Sequence, residues 1–146
     1  MENDERILVI DDDETITAVF RAGLKQEGFN VDIATTGKEA IEKSKGQVYN
    51  LALIDIRLPD MDGTKLLTEM KETTPKMRKI IVTGYPDLQN AIASVQNGAD
   101  YYITKPTKID TLVKAVREQL QKQKEEEYGE KKVAEYIETR LRQNPL

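Results

Sequence analysis

Five short apolar runs, four of them closed by a polar residue, alternate along this chain with segments whose apolar residues recur every three or four positions. The runs are Arg6–Asp11, Val31–Ala34, Leu51–Asp55, Lys79–Thr83 and Tyr101–Thr104. Each is short enough to be a strand and is bounded by turn-forming residues. Ile7–Ile10, Leu51–Ile54 and Ile80–Val82 are apolar throughout, as strands covered on both faces are. Val31-Asp32-Ile33 alternates instead, which places it at a sheet edge. Between the runs, Ile16, Val19, Phe20 and Leu24 share one helical face that ends before Gly28. Thr36 with Glu39 three residues on has the pattern of a capping box. A third helix follows Asp62-Gly63 and buries Leu66, Leu67 and Met70. A fourth follows Pro86-Asp87, carries Leu88, Ala91, Ile92 and Val95, and stops at Gly98. A fifth begins after Lys105-Pro106-Thr107 and presents Ile109, Leu112, Val113, Val116 and Leu120.

Strands alternating with helices predict an α/β fold, a doubly wound five-stranded parallel sheet with right-handed crossovers. The expected strand order is 2-1-3-4-5, one of the two common doubly wound orders. Beyond Leu120 the composition shifts. Lys122-Gln123-Lys124-Glu125-Glu126-Glu127 is strongly charged, and Gly129 is expected to break it. Val133, Tyr136, Ile137 and Leu141 then recur at helical spacing before Asn144-Pro145. The chain therefore divides into a domain over residues 1–122 and a charged helical C-terminal extension over 123–146. The extension reads either as a solvated helix or linker, or as a short helix that packs on a partner or a second copy.

Composition narrows the chemistry. The 146 residues suit one domain. Lys and Arg number 22 against 26 Asp and Glu, a net charge of −4. With no basic stripe, direct nucleic-acid binding is not expected. No run approaches the length of a membrane-spanning helix. The acidic start Met1–Arg6 is unlike a signal peptide, so a cytoplasmic location is expected. There are no cysteines and no histidines. Thiol nucleophiles, histidine triads and His-ligated zinc are excluded, and any phosphohistidine chemistry must use a histidine on another protein.

In a parallel α/β sheet all strand carboxyl ends lie along one edge, where ligands bind. That edge would collect Asp11, Asp12, Asp55, Thr83 and Lys105. Like charges about 4 Å apart repel by roughly 4 kcal/mol at an effective dielectric near 20. A divalent cation offsets that repulsion, and Mg²⁺ prefers such oxygen ligands. The bland alternative is one raised pKa among solvated loop acids. Asp55 ends a fully apolar strand and is the best nucleophile, since aspartates form acyl-phosphate intermediates. Lys105 would neutralise one phosphoryl oxygen and Thr83 would donate to another, while Gly84 leaves room for the incoming group. Asp60 and Asp62 read as turn and N-cap residues. Asp13 and Glu14 suit the positive end of the first helix.

These residues resemble the receiver domain of two-component response regulators, over about Arg6 to Leu120. The marks are Asp11-Asp12, Asp55 with Leu58-Pro59-Asp60-Met61-Asp62-Gly63, Thr83-Gly84 and Lys105-Pro106. The resemblance implies a flavodoxin-like receiver domain over residues 1–122. It implies that Asp55 accepts a phosphoryl group from the phosphohistidine of a sensor kinase or phosphotransfer protein. Asp12, Asp55 and the Arg57 backbone carbonyl would bind Mg²⁺, and Asp11 would act through water. Thr83 and Tyr102 would be the switch pair, reshaping the surface of helix four, strand five and helix five for a downstream protein target or a second copy. Arg57 and Tyr85 would flank the acceptor and restrict hydrolytic water. The chain departs from the family pattern at Thr107, where an aromatic often follows Lys-Pro, and in a tail unlike any output domain.

Three other readings stay open. Asp11-Asp12-Asp13-Glu14-Thr15 also resembles the Asp-x-Asp-x-Thr motif of haloacid-dehalogenase-type phosphohydrolases, with Asp11 as nucleophile and Asp13 as acid–base. No acidic pair follows Lys105 to complete that site. A scaffold that is never phosphorylated shares the residues, and a flavin carrier shares the fold, although few aromatics and acidic strand ends suit flavin poorly.

Overall fold

The apolar runs pair into one five-stranded, all-parallel sheet in the computed structural model, which describes residues 4–144. The strands are β1 (Arg6–Ile10), β2 (Asn30–Ala34), β3 (Leu51–Ile54), β4 (Arg78–Thr83) and β5 (Tyr101–Thr104). Their order is β2-β1-β3-β4-β5, as the sequence predicts, and β2 lies at the edge. The connecting helices are α1 (Glu14–Gln26), α2 (Gly37–Gly46), α3 (Gly63–Thr73), α4 (Leu88–Gln96) and α5 (Ile109–Gln143).

Alternate side chains on a strand face opposite ways, so each apolar strand feeds two cores. Ile7, Val9, Leu51, Leu53, Ile80 and Val82 pack with Phe20 and Leu24 of α1 and Leu112, Val116 and Leu120 of α5. Leu8, Ile10, Ala52, Ile54 and Ile81 pack on the other face with Ala40 of α2 and Leu66, Leu67 and Met70 of α3. Each large side chain so buried contributes about 1.5–3 kcal/mol. Sliding any one strand by a single residue would exchange the two faces, so the register is strongly fixed.

The helix starts are capped by short polar side chains. Asp13 accepts from the N–H groups of Thr15 and Ile16 at 2.9 and 3.1 Å. Asp62 caps α3 through Thr64, and Asp87 caps α4 through Asn90. At α2 the Thr36 hydroxyl takes the Glu39 N–H at 3.0 Å, and the Glu39 carboxylate takes the N–H of Thr35 rather than that of Thr36. Gly28 and Gly98 follow α1 and α4 with φ of 93° and 98°, conformations that L residues rarely adopt.

Three expectations change. Val19 is 53% exposed, and the buried face of α1 runs instead through Thr17, Phe20 and Leu24. The apolar residues of α4 do not face the core: Leu88, Ile92 and Val95 are exposed, and the fully buried side chain is Ser94, whose hydroxyl donates back to the Asn90 carbonyl. Gly129 does not break the extension. The helix α5 runs unbroken through it to Gln143, because one helical glycine costs only about 1 kcal/mol relative to alanine. Residue 122 therefore falls inside a continuous helix, one position before the buried Gln123. Val133, Tyr136, Ile137 and Leu141 are each more than half exposed. The expected end at Pro145 lies outside the described residues. Among the described residues no helix is long and apolar enough to cross a membrane.

Gly63 shows how tightly the start of α3 meets β3. Its N–H donates to the Ile56 carbonyl at 2.6 Å, and a Cβ there would lie 2.5 Å from the Asp55 carbonyl oxygen and 2.8 Å from Ile56 Cα. Those are backbone atoms held by the sheet, so they cannot step aside. Gly63→Ala is expected to lower stability by about 1–3 kcal/mol through overpacking. Urea denaturation measures this, and an unchanged midpoint would contradict the close approach.

Candidate functional site

Parallel register brings the polar strand ends together. Ile10 pairs with Ile54, and the Asp55 N–H continues the ladder to the Ile10 carbonyl at 3.0 Å. Asp11 and Asp55 therefore occupy equivalent positions one step beyond adjacent strands. Thr83 pairs with Thr104, and the Lys105 N–H reaches the Thr83 carbonyl at 2.7 Å. The ligand oxygens of Asp11, Asp12 and Asp55 all lie within 4.8 Å of one another. Asp11 and Asp55 are 3% and 6% exposed, whereas Asp12 is open to solvent.

The Lys105 ammonium joins two of these acids. Its Nζ lies 2.6 Å from Asp11 Oδ2 and 3.2 Å from Asp55 Oδ2. The other Asp11 oxygen accepts the Asp13 N–H at 2.9 Å. Asp55 is held more loosely: its second oxygen receives the Arg57 N–H at 3.4 Å. Asp11 is thus the firmly bonded partner, and Asp55 keeps more of its lone-pair capacity for an incoming group. Burial raises the Asp55 pKa; the Lys105 charge opposes this and the Asp11 charge adds to it. Burial alone would lower the Lys105 pKa, but its hydrogen bond and charge pairing with Asp11, and then with Asp55, raise it. Lys105 is therefore a cation throughout the physiological range.

These groups line an open cleft of about 440 Å³, together with Gly84, Arg57 and Tyr85. A Cβ on Gly84 would meet nothing nearer than the Lys105 stem at 3.9 Å, so the floor there is open. The Arg57 guanidinium stacks over the Tyr85 ring at 3.7 Å, which fixes both beside Asp55. Thr83 is fully buried and does not line the cleft. Its hydroxyl accepts the Tyr85 N–H at 3.1 Å and retains its own proton for donation. Tyr102 pairs with Ile81 one strand away and packs half-buried against the α2–α3 core. Its hydroxyl is shielded from solvent without a hydrogen-bond partner. Burial, then the charge of Asp87, raises its pKa.

The remaining acids have structural duties. Asp13 and Asp62 are the N-caps already described. Asp60 accepts the Gly37 and Lys38 N–H groups at 2.8 and 2.9 Å, so the loop after β3 caps α2 across the sheet edge. Those two bonds, in that order of weight from Lys38 to Gly37, lower the Asp60 pKa. Sequence reasoning placed Asp60 in a local turn and missed this partner, because a cap supplied from 23 positions away leaves no local spacing signal.

Comparison with known proteins agrees with this geometry. The family model described as "Response regulator receiver domain" matches residues 7–117. The chain belongs to that family of two-component signalling domains. It is 37% identical over 106 residues to the transcriptional regulatory protein ZraR of Escherichia coli, covering 73% of this chain and 24% of that protein. It is 32% identical over 120 residues to the response regulator ArlR of Staphylococcus saprophyticus, covering 81% of this chain and 53% of that one. The chain thus spans about a quarter to a half of these relatives. Among solved structures, a CheY-like receiver domain protein from Methanospirillum hungatei superposes with a TM-score of 0.83 at 43% identity, covering 85% of this chain and 99% of that chain.

The raised Asp55 pKa makes a signed prediction. A carboxyl that holds its proton more tightly when folded costs stability once pH exceeds the folded pKa, and that cost vanishes below the unfolded value. In the presence of a chelator, Asp55→Asn is expected to raise the Tm at pH 7, with the gain shrinking as pH falls through the ordinary carboxylate range. Paired melting curves across pH measure it; a variant less stable than the parent at pH 7 would contradict the account.

Proposed function

We propose that the protein is a phosphorylation-dependent signalling switch in which Asp55 accepts a phosphoryl group from a phosphohistidine on a partner sensor kinase or phosphotransfer protein. The observation that carries this reading is the placement of Lys105. One ammonium spans Asp11 and Asp55 at the head of an open cleft, beside an exposed third carboxylate. None of these 146 residues is histidine, so the donor histidine lies outside them.

The residues also fit a divalent metal. Three carboxylates whose ligand atoms converge within 4.8 Å, one of them solvent-facing, form the hard-oxygen donor set that Mg²⁺ takes. Asp12 and Asp55 would hold it with the Arg57 backbone carbonyl, and Asp11 through water. When bound, the ion supplies charge neutralisation for the phosphoryl oxygens. The chain's own groups do the rest. Asp55 Oδ attacks phosphorus in line with the departing imidazole nitrogen; the O–P bond forms as the P–N bond breaks, and the donor histidine keeps the electron pair. Lys105 neutralises one oxygen. Thr83 donates its hydroxyl proton to another, which draws it toward the cleft. Arg57 and Tyr85, stacked beside the acceptor, restrict the water that would hydrolyse the product.

The switch follows from packing. Movement of Thr83 alters the space beside Tyr102, whose unpartnered hydroxyl leaves its position weakly determined; an unmade buried bond costs about 1–3 kcal/mol. Two arrangements of similar energy are what a small local charge change can bias. The readout surface is α4, β5 and α5, where Leu88, Ile92, Val95 and Tyr101 stand exposed. A downstream protein or a second copy would read it; no direct nucleic-acid contact is assigned to these residues. The phosphohydrolase alternative is disfavoured: Asp13 Oδ1 serves as the N-cap of α1, and no acidic pair follows Lys105 to complete that site.

Acetyl phosphate tests the assignment. Mass spectrometry after treatment with acetyl phosphate and Mg²⁺ is expected to add one phosphoryl group at Asp55, with none added to Asp55→Asn or after chelation. Modification at Asp11, or retention of the label in Asp55→Asn, would refute it.

A further inference from the structure

Helix α5 passes the amino-terminal ends of the strands, on the far side of the sheet from the acidic cleft, and keeps going. Polar contacts join it to the domain there. Gln123 is 7% exposed, and its Nε2 donates to the carbonyls of Asn50 and Lys76, both at 2.9 Å. Arg78, the first residue of β4, is also buried; its guanidinium pairs with Asp100 at 3.2 Å and with Glu126 on the helix. Lys76 with Glu130 at 3.6 Å, and Lys124 with Glu5 at 3.7 Å, are the outer pairs. Exposed lysine pairs of that kind hold little. The buried Gln123 amide makes the firm contacts, and Glu126 sets a carboxylate against the buried Arg78 guanidinium.

Gln123, Glu126 and Glu130 sit in one row of the helix. Leu112, Val116, Gln119 and Gln123 face the domain at alternating steps of three and four residues. Glu126, Glu130, Val133 and Ile137 continue the same series, so the side that packs on the sheet becomes the side of the projecting helix. Between helix and domain lies a cleft of about 380 Å³ lined by Lys76, Arg78, Asp100, Gln123, Glu126 and Glu130. An isolated helix as short as the part beyond Glu130 is marginal in water. Its formation and its direction depend on what holds its base.

We propose that residues 123–130 are a latch through which Gln123 and Arg78 fix residues 131–143 as a rigid helical arm with one direction relative to the domain. Arg78 opens the strand that ends at Thr83, and Asp100 lies two residues before Tyr102. The arm therefore takes its bearing from the β4–β5 pair.

The chain lacks cysteine, so Lys45→Cys with Thr139→Cys, both exposed, admits a clean pair of spin labels on the full chain. Pulsed electron paramagnetic resonance is expected to give one narrow distance distribution. Gln123→Ala, and separately Glu126→Gln with Glu130→Gln, should broaden it about twofold and speed amide exchange over 123–130 about tenfold, with β1 and β3 amides unchanged. Glu138→Gln, whose partner Arg142 lies beyond the latch, should change neither. A broad distribution in the labelled parent, or a narrow one with parental exchange in the latch variants, overturns the proposal. Should Gln123→Ala also expose β1 and β3, the double glutamate variant, which alters exposed side chains alone, decides.

Discussion

The ammonium of Lys105 holds this site in being. Two carboxylates almost removed from solvent, on neighbouring strand ends, repel each other strongly unless a cation lies between them. Lys105 supplies one positive charge to both, at 2.6 and 3.2 Å. The geometry exists because β1, β3, β4 and β5 run parallel and end along one edge, β4 and β5 reaching beyond the Ile10–Ile54–Ile81 level to Thr83 and Thr104, and their alternating apolar faces lock that register. The hydrophobic core and the charge cluster are one construction: shift a strand and the acids separate.

The cluster is neutralised only in part. Asp12 adds a further negative charge at the open side of the cleft, and Asp55 stays loosely bonded with its proton affinity raised. A site in that condition favours whatever brings more positive charge or converts the carboxylate into something else. Charge gathered in this way costs stability at this edge, the relation found where charge is gathered for function. The packing around it is correspondingly strict, as the backbone contact at Gly63 shows.

The strand ends and the fold class were legible because a parallel sheet turns a one-dimensional pattern into one edge: uninterrupted apolar runs gave the central strands, and the polar residues that follow them gave the charge cluster. Lys105 and Asp55 could be named from the chain alone for that reason. What escaped has a shared cause. Asp60 capping α2, Arg57 stacking on Tyr85, and Gly63 pressing on the Asp55 backbone are contacts between segments whose relative placement only the folded chain specifies. Gly129 misled because a single helix-breaking residue is weaker than the helix around it. Gln123 did carry a signal: it falls on the apolar side of α5, where a polar residue needs a buried partner, and its Nε2 has two. The exposed face of α4 had no such signal, since its apolar spacing is that of any core helix.

A magnesium titration bears most directly on the claim that these acids form one cation-ready acceptor site. Followed by amide NMR on the unphosphorylated chain, it is expected to show saturable shifts centred on residues 11–13, 55–57, 84–85 and 105, and their loss in Asp12→Ala. Shifts that fail to saturate, or that centre instead on the acidic run 125–127 of the helical arm, would contradict the account.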